Sequence, residues 1–196
     1  MKLTIYILTF TLSILTSCRQ PNSKQKNEQK ISTNTDTLNT ELKNKEAELN
    51  TSQNLIERTD YQKKALDFAY EKAILFQLTD TITADFNGDG YLDKATLTKE
   101  NETSGLIIKH GKNNEHIKIG FGKSFSTWED FDLNWVDFWG LVNDSETYEI
   151  VIEDAEIIGE RKVNLVNPSI VVRKEDAGGG LITFRNGKYE WIHQSD

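Results

Sequence analysis

The chain has 196 residues, 37% hydrophobic and 28% charged, with 31 Asp+Glu against 23 Lys+Arg and a formal net charge of −8. One cysteine and 12 glycines exclude a disulfide-stapled miniprotein and a collagen, and 10% aromatic residues exclude a chain disordered from end to end. An acidic chain without a basic stripe is not expected to bind nucleic acid by neutralising phosphates.

Lys2 is followed by Leu3–Leu15 (LTIYILTFTLSIL), a run without charge. Its length suits the apolar core of an export signal and falls short of the roughly 20 residues a membrane span takes. Leu15-Thr16-Ser17-Cys18 closes the run. This order of charge, apolar core and cysteine resembles the lipobox of bacterial lipoproteins. The resemblance implies that residues 1–17 are a signal peptide and that Cys18 carries the acyl chains. The protein would then be exported and anchored at the cell envelope, more than one chain being needed for stable attachment. The alternative, a buried N-terminal helix with an incidental cysteine, leaves the position of the chain's single Cys unexplained. An exported protein with no second cysteine forms no internal disulfide.

Residues 18–59 form the expected tether. Arg19–Thr59 holds no aromatic residue and few aliphatic ones, so it has too little apolar surface to fold alone. Leu42, Leu49 and Ile56 recur every seven residues, but Lys45 and Ser52 fill the companion seam. A solvated spacer with transient helix fits better than a coiled coil, and it would give the domain reach. The domain spans residues 60–196. Asp60 is a candidate N-cap for a short helix over 60–74, with Tyr61, Ala65, Ala69 and Ala73 on the face toward the domain.

Beyond Thr81 the hydrophobic period is two. Ile82, Ala84 and Phe86 alternate, then Ala95 and Leu97, then Ile117, Ile119 and Phe121. Leu106–His110 and His116–Phe121 flank GKNNE as a hairpin. Further strands are predicted at Glu149–Ile152, Ile157–Val166, Ser169–Arg173, Leu181–Phe184 and Tyr189–His193, and Asn186-Gly187 joins the last pair. The expected fold is mainly β: one antiparallel β-rich domain preceded by a short helix and a disordered tether. Sandwich, small barrel and twisted single sheet all remain open.

The chemistry concentrates in Asp85-Phe86-Asn87-Gly88-Asp89-Gly90-Tyr91-Leu92-Asp93. Oxygen donors stand at alternate positions: Asp85, Asn87, Asp89, the Tyr91 carbonyl and Asp93. Ca²⁺ takes six to eight oxygens from a flexible loop, and Gly88 and Gly90 allow the chain to curl round it. An EF-hand would need Glu at position 12 of the loop, where Thr96 stands, and helices rather than strands on both sides. DFNGDGYLDKATL instead resembles the strand–loop–strand calcium motif of FG-GAP and VCBS-like repeats. That resemblance implies a bound Ca²⁺ and direct ligation by Asp93 at the ninth position. The motif occurs once, so no propeller is implied. An ion-free Asx/Gly turn is the competing reading.

Other constellations are weaker. Asp130, Asp132, Asn134 and Asp137 alternate in EDFDLNWVDFW, where a half-buried strand or aromatic-rich loop is expected rather than a second metal site. Trp128, Trp135 and Trp139 would make a carbohydrate or protein contact patch if exposed together, though large aromatics in β domains are usually core. Asp130–Asp137, or Glu153, Asp154 and Glu156, would be the acids of a hydrolase. His110, His116 and His193 lack metal spacing, with His110 and His116 expected as exposed strand ends. Gly178-Gly179-Gly180 reads as a turn or hinge. With no nucleophile elbow or phosphate-cradling loop, the expected function is a non-enzymatic binding module with a protein or carbohydrate ligand. An envelope hydrolase and an inhibitor of a secreted enzyme are the alternatives.

Overall fold

A computed structural model describes residues 35–195. The lipobox around Cys18 and the first part of the expected tether lie outside these residues. The first element is a helix, α1 (Thr35–Ala69), and everything after it is β. The helix opens at Thr35 instead of near residue 60, because the stretch ELKNKEAEL is built from strong helix formers that need no core to favour the conformation. Asp60 therefore lies inside the helix and pairs with Lys64 one turn on, instead of capping it. The helix also ends at Ala69, short of residue 74. Ala73–Phe76 becomes strand β1, since pairing with a buried central strand outweighs the local spacing of alanines. Asp144 accepts hydrogen bonds from Glu71 N (2.9 Å) and Lys72 N (2.7 Å), fixing the bend between helix and strand.

The strands that follow are β2 (Thr81–Ala84), β3 (Asp93–Glu100), β4 (Thr103–Lys109), β5 (His116–Gly120), β6 (Lys123–Phe125) and β7 (Trp128–Phe131). After them come β8 (Phe138–Val142), β9 (Glu146–Glu153), β10 (Glu156–Asn164), β11 (Ser169–Lys174), β12 (Gly178–Arg185) and β13 (Lys188–Ser195). All pairings are antiparallel. A five-stranded sheet runs β1-β8-β11-β12-β13, and a four-stranded sheet runs β2-β3-β4-β5. Strands β6–β7 and β9–β10 form separate hairpins. The Asn186-Gly187 hairpin is as predicted, with both residues at positive φ (53° and 81°).

The two sheets pack face to face. Ile82, Ala95, Leu106 and Ile108 from the smaller sheet meet Trp139, Ile170, Val172 and Ile182 from the larger. Of the three open architectures, this is the sandwich. On its other face the larger sheet buries Phe138, Val142, Val171, Leu181 and Ile192 under Leu66 and Tyr70 at the helix end. Gly140 permits this approach: a Cβ there would lie 3.1 Å from Leu66 Cδ1 and 2.5 Å from the Ile74 carbonyl. A strand covered on both faces loses its alternation, which is why FWGLV of β8 gave no period-two signal.

Polar contacts also hold the helix to the turn between β11 and β12. Glu175 accepts from Arg58 Nε (2.7 Å) and Gln62 Nε2 (2.6 Å), and Tyr61 donates to Asp176 (2.7 Å). The hydrogen bonds from Arg58 and Gln62 hold the Glu175 carboxyl below its ordinary range. A depressed carboxylate contributes stability that is present above its unfolded pKa and lost as pH falls through the lower folded value. Acidification below about pH 4.5 is therefore expected to loosen the helix from the sheet, and Glu175→Gln is expected to remove that part of the transition. Hydrogen exchange of α1 amides as a function of pH checks this; an identical profile in the variant would remove Glu175 from the account.

Candidate metal site

The β2–β3 connection curls because its own side chains capture its backbone. Asp85 Oδ1 and Asn87 Oδ1 both accept from Asp89 N at 3.0 Å, and Asp85 Oδ2 accepts from Gly90 N at 2.8 Å. Asp89 Oδ1 accepts from Tyr91 N at 2.9 Å, and the Asn87 amide donates to Asp89 Oδ2 at 3.3 Å. Gly88 (φ 73°) and Gly90 (φ 86°) supply the left-handed steps. At Gly88 there is no room either, since a Cβ would lie 2.5 Å from Asn167 Oδ1. Three of the five candidate donors, Asp85, Asn87 and Asp89, thus come together within this bend.

Asp93 plays a different part. It opens β3 fully buried, and its carboxylate joins two turns: Oδ2 accepts from Phe86 N (3.0 Å) and Oδ1 from Gly111 N (2.9 Å). A Cβ on Gly111 would sit 2.2 Å from the Leu92 carbonyl, so the two turns touch through backbone. The Tyr91 ring is about half exposed, with Lys112 Nζ 5.8 Å from its centroid. Among the described residues, no three His, Cys, Asp or Glu side chains converge closely enough to ligate one ion alone. A complete shell would also draw on Asn87 and main-chain carbonyls, oxygen donors of the kind Ca²⁺ takes.

The electrostatics of the bend are one-signed. Asp85, Asp89 and Asp93 form no ion pair among the described residues. Their fields reach Tyr189, whose hydroxyl is pushed well above its ordinary range by burial first and then by Asp93, Asp85 and Asp89. That hydroxyl lies 3.0 Å from His110 Nε2, and His110 Nδ1 lies 3.7 Å from Glu115. His110 is accordingly buried, not the exposed strand end expected, because Tyr189 and Phe184 cover that edge of the sandwich. Gly111, His110 and Tyr189 carried no spacing signal. They become neighbours of the acidic bend only when the sheets close.

The remaining candidates separate in space. Trp139 is fully buried and donates to the Gln77 carbonyl (2.7 Å), while Trp128 and Trp135 line a different surface. The three tryptophans therefore form no common patch, but Trp128 and Trp135 join Trp191 around a cavity of about 350 Å³. Asp137 lies 3.6 Å from Arg58 and accepts from Glu175 N, and Asp132 accepts from Asn134 N (2.8 Å). Glu153, Asp154 and Glu156 are exposed at the tip of the β9–β10 hairpin, where Asp154 and Ala155 turn at positive φ. Gly178–Gly180 lie in β12 and form no hinge, because β11 and β13 flank them on both sides.

No family model, curated protein or solved structure matches this chain. No helix among the described residues is long and apolar enough to cross a membrane.

Proposed function

We propose that this chain is a lipid-anchored protein of a bacterial cell envelope, carrying a Ca²⁺-stabilised β sandwich that binds a ligand instead of catalysing a reaction. The anchor rests on the order Lys2, Leu3–Leu15, Cys18. The metal rests chiefly on one observation: a fully buried Asp93 carboxylate following a bend that holds half-buried Asp85 and Asp89, with no basic side chain paired to any of them among the described residues. Backbone N–H groups offset part of this one-signed charge, and a divalent cation would offset more of it. Asp85, Asn87 and Asp89 would hold the ion, with the Tyr91 carbonyl and Asp93 completing the oxygen set. The bound ion would supply structural charge compensation only. Its effect would be to fix the β2–β3 turn and, through Asp93, the turn that begins at Gly111.

Extracellular modules bind Ca²⁺ with dissociation constants of about 10⁻⁴–10⁻³ M. A tenfold excess over such a constant stabilises the folded state by about 1.4 kcal/mol. For a chain of this length that corresponds to a rise in Tm of roughly 3–5 °C. Melting of the full-length protein in millimolar Ca²⁺ and in chelator should show this rise, and Asp89→Ala should abolish it. Equal melting of both proteins under both conditions would refute the metal site.

A further inference from the structure

We infer that the cavity between the β6–β7 hairpin and the five-stranded sheet is a binding site for an organic cation, an alkylammonium group on a small molecule. This rests on reading the domain as a binding module and names the class of ligand it takes. The cavity measures about 350 Å³, within the range of small-ligand sites. Its lining includes three tryptophans, Trp128, Trp135 and Trp191, and the acidic residues Glu129, Asp130 and Asp132. Trp135 and Trp191 meet at 89° with centroids 6.4 Å apart. This is an edge-to-face contact within the core and forms the apolar side of the cavity, while Trp128 is the indole open to solvent. A rounded ammonium group needs only to lie within about 6 Å of an aromatic face to be attracted by it.

Charge points the same way. None of the three carboxylates forms an ion pair among the described residues, and the wall sets Lys174 against them. Glu129 and Asp130 are exposed, so neither carries a burial cost that would call for a partner within the fold. A register shift in the β6–β7 pairing, with Asp130 at φ 50°, puts these acids beside the rings. Apolar rings and unpaired anions side by side complement a cation that carries methyl or methylene groups.

Tryptophan fluorescence of the full-length chain, titrated with tetramethylammonium chloride and separately with glucose at constant ionic strength, tests this. Saturable quenching by tetramethylammonium is expected, weakened about tenfold in Glu129→Gln/Asp130→Asn and unchanged in Glu156→Gln, whose charge lies on another hairpin. The exposed double variant should melt like the parent, which separates lost binding from lost fold. No saturable response to tetramethylammonium, or a response equal in all three proteins, would overturn the proposal. Saturation by glucose alone would overturn the cation while leaving the binding-module reading intact. Failure of the calcium melt would touch only the metal site.

Discussion

Asp93→Ala is expected to cost the domain about 3 kcal/mol, lowering Tm by roughly 6–12 °C. The side chain is fully buried and is the acceptor for Phe86 N and Gly111 N. Truncation leaves both donors without it, each at about 1–3 kcal/mol, although removing a buried negative charge returns part of the loss. Asp93→Asn keeps one acceptor oxygen and removes the charge, so it should lose about half as much. The loss should be felt beyond β3. Gly111 opens the β4–β5 turn, and its amide donates to this carboxylate, tying that turn to the β2–β3 turn. Urea unfolding gives the stability, and hydrogen exchange at Gly111 and Phe86 gives the location. An Asp93→Ala protein that melts with the parent would mean that neither turn depends on this contact.

The second large effect is expected at Gly180. A Cβ there would stand 2.2 Å from the Ile192 carbonyl and 2.6 Å from Trp191 Cζ2. Backbone on the neighbouring strand cannot yield as the tip of a side chain does, so overpacking of about 3 kcal/mol is expected for Gly180→Ala. The indole must move as well, and a shift in Trp191 emission should accompany the loss. Gly187→Ala is the control. No atom lies within 4 Å of its Cβ, and φ of 81° is the sole strain, worth about 1 kcal/mol. Equal stability of Gly180→Ala and the parent would restore the hinge that Gly-Gly-Gly suggests.

These two residues show where residue order is informative and where it is silent. The alternating strands were legible because one face is buried and the other is wet, as in Thr81–Ala84 with its exposed–buried repeat. Asn186-Gly187 was legible because its turn demands positive φ from consecutive residues. The bend at Asp85–Asp93 was legible as a local object, since its hydrogen bonds run between residues two to five apart. By contrast, β8 carries no strand signal because both of its faces are covered, and β1 carries none because Ala73–Phe76 becomes a strand only by pairing with β8. The three strand glycines looked like a turn for the same reason. At Gly179 and Gly180 only their neighbours reveal that the missing side chains make room for backbone and an indole.

Legible in residue order alone were the charge–apolar–cysteine pattern of residues 2–18, the β character of the domain, and the oxygen-rich bend, all of which depend on short stretches of chain. Tertiary structure decided the rest. It chose the sandwich, placed Asp93 at the junction of two turns, buried His110 against Tyr189, and gathered Trp128, Trp135 and Trp191 from separate segments around one cavity. The physical reason is reach. Turn chemistry and strand periodicity act over a few residues, whereas a shared cavity or a buried carboxylate is created by closing two sheets whose strands lie far apart along the chain.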